Sequence, residues 1–169
     1  MRPLSGTDAQ DEVKRIGWRP AQPDDEPFLY ELYASTRTEE VDAFGWDAAQ
    51  QEMFLKLQFA AQRQHYDIAY PDAEHRIILF KGRAAGRMLV FRSDREIVLV
   101  DIALLPGHRG AGIGAALIRG LIDEAEAMGL PLRLHVEKRN RAARLYERLG
   151  FSLIGETGVY YEMERRPNQ

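Results

Sequence analysis

The pattern of apolar and polar residues divides the chain into an early helical part and a later part rich in strands. Residues 1–15 are polar and without periodicity, which predicts a flexible N-terminal extension, and a short strand is expected over residues 16–20. The apolar residues at positions 28–33 then fall on one face of a helix. Asp24 and Asp25 are suitable N-cap residues, so we predict that a first helix begins beside them.

A second helix is expected after a polar loop. The charged residues 37–40 are assigned to that loop, and the helix is predicted from about Asp47 to about residue 70. Phe54, Leu57 and Ala61 lie three to four positions apart, as residues on one helical face do. Two helices are therefore expected before the first long strand.

The spacing then changes to that of β-strands. Three short apolar runs at residues 75–81, 84–92 and 96–105 are separated by tight turns, which is typical of an antiparallel meander. A long helix with a single apolar stripe is predicted from residue 113 to 128, and Gly129 ends it. This helix has the strongest periodic signal in the chain.

The remaining segments alternate between extended and helical patterns. We predict a strand over residues 132–138, a short helix over 141–150 and two final strands over 151–156 and 159–164. The whole order predicts a mixed α/β fold, with about four helices around a mixed, mostly antiparallel sheet of about seven strands. No linker rich in glycine or proline divides residues 16–169, so we expect them to form a single domain.

Composition narrows the classes of function. The 169 residues include 23 Lys+Arg and 26 Asp+Glu, a net charge of -3, which argues against nucleic acid as a partner. No apolar run approaches the ~18 residues of a membrane span, and no signal-peptide core is visible, so a cytoplasmic protein without a membrane partner is expected. The absence of cysteine excludes thiol catalysis, and the histidine spacing does not suggest a metal site.

The clearest candidate binding site is the glycine-rich loop Arg-Gly-Ala-Gly-Ile-Gly at residues 109–114. Glycines at alternate positions let the backbone approach a ligand closely, and successive N–H groups can point into one concavity. The N-terminus of the following helix favours an anion, and Arg109 can bind a phosphate through two N–H groups. The spacing differs from the GxGxxG and GxxxxGK patterns of nucleotide-binding loops. By itself the loop fits a pyrophosphate site or a tight turn.

Two motifs taken together resemble the GNAT (GCN5-related N-acetyltransferase) superfamily. The signature Q/R-x-x-G-x-G/A appears at residues 109–114, after an apolar strand and Pro106. The second motif, a strand, an asparagine and a helix that ends in LYE-x-LGF, appears as LHVEKRNRAARLYERLGF at residues 134–151. Their order and separation also match, and the resemblance covers roughly residues 75–165.

The resemblance implies a three-layer fold in which the fourth and fifth strands splay apart and acetyl-CoA lies between them. The pantetheine arm would pair with the fourth strand, and the loop N–H groups would hold the pyrophosphate. The matching cofactor-binding positions are Ile102, Ala103, Leu104, Arg109, Gly110, Ala111, Gly112, Ile113, Gly114 and Asn140. Asn140 lies six residues before Tyr146, where seven is the commoner spacing in the family.

The resemblance also implies direct acetyl transfer to a primary amine in a ternary complex, with Tyr146 as the acid for the leaving thiolate. Without the motif, a core aromatic beside Leu145 and Leu149 is the better interpretation of Tyr146. His135 occupies the position where some members carry a glutamate base, and Asp101, an acid within an apolar strand, is the second candidate for the base. Three alternatives remain open: the base acts through a water molecule, His135 is simply bonded to a neighbour, or Asp101 caps a loop or bonds His135.

The acceptor would be an amine of a small molecule or a peptide, recognised by the first two helices, their loop and the last hairpin. The residues to inspect there are Tyr30, Tyr33, Arg37, Glu39, Glu40, Trp46, Tyr66 and Tyr160. Alternatives are another acyl-CoA or an O-acceptor on the same fold, a catalytically silent CoA-binding regulatory domain, and a nucleotide-binding module without preference for CoA. By resemblance, a homodimer is plausible.

Overall fold

A seven-stranded sheet runs through the computed structural model, which describes residues 15–168. The predicted extension at residues 1–15 lies, apart from Arg15, outside the described residues. The strands are β1 (Ile16–Pro20), β2 (Glu74–Phe80), β3 (Arg83–Arg92), β4 (Ile97–Leu104), β5 (Leu132–Glu137), β6 (Ser152–Thr157) and β7 (Tyr160–Arg165). The helices are α1 (Glu26–Asp42), α2 (Ala48–Ala69), α3 (Ile113–Met128) and α4 (Ala142–Arg148).

The strand order is β1-β2-β3-β4-β5-β7-β6, and every neighbouring pair is antiparallel except the parallel pair β4 and β5. The predicted mixed α/β fold with a mostly antiparallel sheet is therefore confirmed. Each predicted strand agrees with the observed one to within a residue at either end. Short apolar runs between tight turns leave little freedom for a strand to begin or end elsewhere.

Helices cover both faces of this sheet. On one face, Ile118 and Leu121 of α3 pack in the same core as Val90 of β3. On the other face, α1 contacts β3 and β4, and Leu32 of α1 and Phe59 of α2 are buried there. None of the helices within residues 15–168 has the length and apolar character needed to cross a membrane.

The charged residues 37–40 lie in a helix, so their assignment to a loop was wrong. Helix α1 continues through them to Asp42 because Val41, with only 2% of its surface exposed, anchors the last turn. The hydroxyl groups of Thr36 and Thr38 donate to carbonyl oxygens of the preceding turn at 2.7 Å and 3.2 Å. The threonine hydroxyl groups therefore find their hydrogen-bond acceptors within the helix, and the helix does not end at these residues.

Asp25 precedes α1 as predicted, but its carboxylate does not cap that helix. It accepts the Gln22 N–H at 2.7 Å and two N–H groups of Arg19 at 2.8 Å and 2.7 Å. The aspartate therefore joins β1 to the start of α1, because its oxygens have stronger donors in the cationic guanidinium.

β4 contains a bulge that the sequence did not reveal. Leu89 of β3 lies opposite Asp101 and Val90 lies opposite Leu99, so Val100 is an extra residue on β4. An extra residue reverses which side chains face each side of a sheet. Asp101 consequently follows the bulge at the point where the strand changes its facing pattern.

The separation of β4 from β5 begins at the same bulge. The two strands pair only through the residues Ile97–Leu99 and Leu132–Leu134, although both continue beyond these positions. The predicted splay of the fourth and fifth strands is therefore confirmed. Past Leu99, no strand within residues 15–168 pairs with the edge of β4 that faces β5.

Candidate functional site

A cleft of about 710 Å³ opens where β4 and β5 separate. Helices α1 and α2 form one wall, and the separated ends of the two strands form the other. The predicted site residues that line it are Asp101, Ile102, Ala103, His135, Asn140 and Tyr146. The three candidate catalytic residues are therefore brought to one cleft from three different elements.

Tyr146 is both a packed aromatic residue and a wall of the cleft. Only 6% of its surface is exposed, and its ring lies 5.7 Å from that of Phe151, with the planes tilted by 62°. Burial, followed by the negative charge of Asp101, raises the pKa of Tyr146 to about 12. The hydroxyl therefore keeps its proton at neutral pH and can act as a hydrogen-bond donor.

Asp101 forms an ion pair with Arg87 of β3 and not a bond to His135. The Arg87 Nε and Nη2 atoms lie 2.8 Å and 2.7 Å from the Oδ2 atom of Asp101. Arg87 Nη2 also donates to the Gln62 Oε1 atom at 2.9 Å. The alternative in which Asp101 bonds His135 is wrong, because the neighbouring strand β3 supplies the buried cation of Arg87 instead.

His135 lies on the opposite side of the splay, on β5. Its neighbours Leu134 and Val136 are buried while His135 is exposed, as the alternation of a strand requires. No hydrogen bond to its ring is made by any residue in the range 15–168. The imidazole is therefore accessible from the cleft, and the alternative of a histidine bonded to a neighbour does not hold.

Asn140 follows β5 and begins the turn into α4. Its side-chain oxygen accepts the N–H of Ala142 at 2.9 Å, which holds the start of the short helix. The residue is exposed and lines the cleft. Since the oxygen is used within the turn, the amide NH₂ is the group that remains for a ligand.

The glycine-rich loop lies between the end of β4 and α3. Gly110 and Gly112 have φ angles of 73° and 83°, which favour glycine, and a Cβ added at either position would meet no atom within 4 Å. Within residues 15–168, no protein group accepts the N–H of Gly110, Ala111 or Gly112. Open space and available donors suit the approach of an anionic ligand.

Arg109 braces this loop. Its Nε atom donates to the Leu104 carbonyl oxygen at 2.8 Å, and its Nη2 atom lies 3.2 Å from the Ser35 hydroxyl of α1. These contacts use two edges of the guanidinium and leave the Nη1 group for a phosphate. Unlike Asp101 and Tyr146, the residues Leu104 and 109–114 do not line the cleft but continue from its β4 end.

The residues predicted for acceptor recognition divide into two groups. Tyr33, Arg37, Tyr66 and Tyr160 line the cleft. The other four, Tyr30, Glu39, Glu40 and Trp46, do not line it. Tyr30 lines a separate groove beside α1 and α2. Half of the expected set therefore reaches the proposed site.

Three residues at or beside the cleft were missed from the sequence. Glu137 of β5 lies 3.3 Å from Arg37 of α1, so an ion pair spans the cleft, and Arg87 holds Asp101. Gly86 of β3 packs against the backbone of β4 at Ala103. The sequence offered two signals for these residues, an arginine and a glycine inside the apolar run 84–92. A glycine within a strand often marks a place where another backbone approaches closely.

A metal site has no support from the described part of the chain. Residues 15–168 contain no group of three or more histidine, aspartate or glutamate side chains placed to hold a metal ion. The carboxylates of Asp101 and Glu137, which line the cleft, are instead paired with Arg87 and Arg37.

Comparison with known proteins gives relatives for this arrangement. The sequence model of the acetyltransferase (GNAT) family matches residues 26–151. A ribosomal protein bS18-alanine N-acetyltransferase from Escherichia coli K12 is 39% identical over 92 residues, which are 51% of this chain and 62% of that protein. Streptothricin acetyltransferase from Streptomyces lavendulae is 37% identical over 85 residues, 48% of this chain and 45% of that protein.

The chain spans about half the length of the curated relatives it matches. Among solved structures, the PaiA N-acetyltransferase from Thermoplasma acidophilum, crystallised in complex with coenzyme A, superposes with a TM-score of 0.65. It is 16% identical and the match covers 89% of this chain and 98% of that one, which shows a shared fold. Because the family model spans most of the chain, this protein belongs to the GNAT acetyltransferase family.

Proposed function

We propose that the protein is an acetyl-CoA-dependent N-acetyltransferase that moves the acetyl group directly to a primary amine in a ternary complex. The observation that supports this most is the cleft at the splay of β4 and β5, with the buried Tyr146 and the exposed His135 on its walls. Residues 16–169 form the catalytic domain in this proposal. The acceptor is a small-molecule or peptide amine.

The residues present suit coenzyme A at two places. The unpaired edge of β4 at Ile102, Ala103 and Leu104 offers backbone groups to the amides of the pantetheine arm. The available N–H groups of residues 110–112 and the N-terminus of α3 suit the pyrophosphate. Asn140 adds an amide donor beside the arm.

His135 is the base in this proposal. An amine acceptor is mostly ammonium near neutral pH and must lose a proton before its nitrogen can attack the thioester. An imidazole is the side chain best suited to take that proton near neutrality, and His135 is accessible from the cleft. Asp101 is less suited to this role because two N–H groups of Arg87 already occupy one of its oxygens.

Tyr146 acts when the carbon–sulfur bond breaks. The amine nitrogen bonds to the carbonyl carbon and an oxyanion forms. Its collapse breaks the carbon–sulfur bond and expels the CoA thiolate, while the nitrogen loses its second proton to water, which leaves the neutral N-acetylated product. The Tyr146 hydroxyl donates its hydrogen to the departing sulfur, which a protonated phenol can do at neutral pH. Backbone N–H groups of β4 are the candidates for stabilising the oxyanion.

The nature of the acceptor is the widest part of the proposal. The relatives named above include one that acts on a ribosomal protein and one named for streptothricin, so both peptides and small molecules are reasonable acceptors. The alternatives are transfer of another acyl group or to an oxygen, and a regulatory domain that binds CoA without catalysis.

A screen of amines for release of free CoA from acetyl-CoA tests the proposal. Because the chain contains no cysteine, every thiol that appears in the assay comes from CoA. We expect an amine-dependent release, together with thermal stabilisation by CoA but not by NAD. Stabilisation by CoA without transfer to any amine would favour the silent regulatory domain, and equal stabilisation by NAD would favour a nucleotide-binding module.

A further inference from the structure

The ion pair between Arg87 and Asp101 lines the cleft and has no part in the chemistry described above. Arg87 is 8% exposed, and its side chain is held by Asp101 on β4 and by Gln62 on α2. Asp101 follows the bulge residue Val100 and lines the same cleft as Tyr146. A buried cation is therefore attached to the carboxylate closest in sequence to the proposed CoA-pairing segment.

We propose that Arg87 is a positioning residue for acyl transfer, which fixes the Asp101 carboxylate beside the β4 bulge and cancels its charge next to the leaving sulfur. This inference rests on the proposed function, since it assigns a role at the same site. It makes Asp101 a charge partner of Arg87 and leaves proton removal from the amine to His135.

The charge balance explains why the pair matters. Negative charge develops on the oxyanion and then on the sulfur, and a lone carboxylate in a partly buried cleft would oppose both. The negative charge of Asp101 contributes to the raised pKa values of Tyr146 and of Tyr66 on α2. It also acts on His75 of β2, but burial and the charge of Arg87 outweigh it and lower the pKa of His75.

Arg37, the other arginine that lines the cleft, is paired with Glu40 and Glu137, and Arg87 is the arginine paired with Asp101. Burial and the charge of Arg87 lower the pKa of His75, which disfavours its cationic form, and a tyrosine side chain carries no positive charge. His135 lines the cleft from β5 but is the group that exchanges a proton with the acceptor. Removing the Arg87 charge therefore exposes the leaving sulfur to an uncompensated carboxylate.

The ionisation of bound CoA reports this effect without an acceptor amine. The protein has no cysteine, so the ultraviolet absorbance of thiolate in its complex with CoA comes from the CoA thiol alone. In the Arg87→Met variant we expect the pKa of that thiol to rise by about one unit, because an opposing charge disfavours the thiolate. In Asp101→Asn we expect the thiol pKa to fall, since Arg87 is then unpaired.

The double variant separates positioning of charge from folding. We expect Arg87→Met alone to lower kcat about tenfold. Removing both charges with Arg87→Met and Asp101→Asn should return the thiol pKa close to that of the unmodified protein and should restore most of the lost kcat. Arg92→Met is the matched control. Arg92 is another arginine of β3, it pairs with Glu124 of α3 at 3.1 Å, and it does not line the cleft.

The outcomes are distinct. The inference would be overturned if the thiol pKa were the same in the unmodified protein, the two single variants at Arg87 and Asp101, and the double variant. It would also be overturned if the kcat of the double variant were as low as that of Arg87→Met. Either result would leave the proposed function standing. CoA binding without acetyl transfer in the unmodified protein would overturn the proposed function and with it the role of Arg87 in transfer, while the thiol titration would still show whether Arg87 compensates the charge of Asp101. Absence of CoA binding would overturn both.

Discussion

Gly86 in β3 lies so close to Ala103 in β4 that a Cβ atom on Gly86 would stand 2.1 Å from the Ala103 carbonyl oxygen. Ala103 belongs to the segment proposed to pair with pantetheine, and it lies beyond the bulge where β4 leaves β5. The close approach of the two strands therefore determines where this segment runs. A side chain at position 86 would have to move the β4 backbone, which cannot rotate away as a flexible side chain can.

The Gly86→Ala variant should be less stable and should bind CoA more weakly. We expect a loss of about 1–3 kcal/mol in unfolding free energy, the usual cost of overpacking a buried position, together with a higher Kd for CoA. Denaturant unfolding and titration calorimetry measure the two effects. Gly17→Ala on β1, where an added Cβ meets no atom within 4 Å, is the control and should change neither. A stable Gly86→Ala protein with unchanged CoA affinity would show that β4 tolerates the shift.

The Gly112→Ala variant should weaken CoA binding. Gly112 has a φ of 83° at the N-terminus of α3, where alanine is strained and its methyl group would occupy the open space above the loop. We expect the Kd for CoA to rise about tenfold, as the loss of one charge-assisted hydrogen bond would cause. Gly129→Ala at the other end of α3, with a φ of 66°, carries a similar strain away from the loop. Equal CoA affinities in the two variants would remove the loop from the binding site.

Asp25 should make the stability of the N-terminal part depend on acid pH. Hydrogen bonds from Arg19, then from the Gln22 N–H, lower the pKa of Asp25 from 3.8 to about 2. A lowered carboxyl pKa adds stability above the ordinary pKa, and that stability is lost as the pH falls towards the folded value. The decrease in melting temperature caused by Asp25→Asn should therefore shrink between about pH 4 and about pH 2.

Asp24 provides the comparison for this measurement. It is exposed and makes no ion pair with any residue between 15 and 168. Asp24→Asn should therefore leave the melting temperature nearly unchanged at every pH. If the effect of Asp25→Asn stayed constant down to pH values near 2, the ion pair with Arg19 would not be its cause.

Much of the architecture could be predicted because it depends on local spacing. The apolar stripe of residues 113–128 gave the bounds of α3, and the short apolar runs gave the strands to within a residue. In the observed strand β5, His135 is exposed between the buried Leu134 and Val136, which follows from the same local alternation. These features need no knowledge of which segments lie beside each other.

The features that could not be predicted depend on partners distant in the sequence. The bulge at Val100 exists only relative to β3, and the pairing of Asp101 with Arg87 requires the register of those two strands. Residues 37–40 are helical because the next residue, Val41, is buried and anchors the last turn. The polarity of residues 37–40 themselves does not indicate this burial. Local patterns therefore predicted the helices and strands, while strand register determined which charged side chains meet in the cleft.

Replacing His135 should change the acidic limb of the pH–rate profile. If His135 takes the proton from the amine, His135→Gln should lower kcat/KM by about 10²–10⁴-fold and abolish the rise of rate with pH that the base produces. His65→Gln on α2 removes another histidine that lines the cleft and should retain that rise. The same limb in both variants would assign proton removal to Asp101 or to water.

Acetyl transfer by the Tyr146→Phe variant tests the central claim most directly. The phenylalanine ring keeps the packing against Phe151 but lacks the hydroxyl that donates to the sulfur. With the best amine from the screen, we expect kcat to fall about 10²-fold or more while the Kd for CoA stays within about threefold of the original. An unchanged kcat in a correctly folded variant would contradict the role of Tyr146 as the acid for the leaving thiolate.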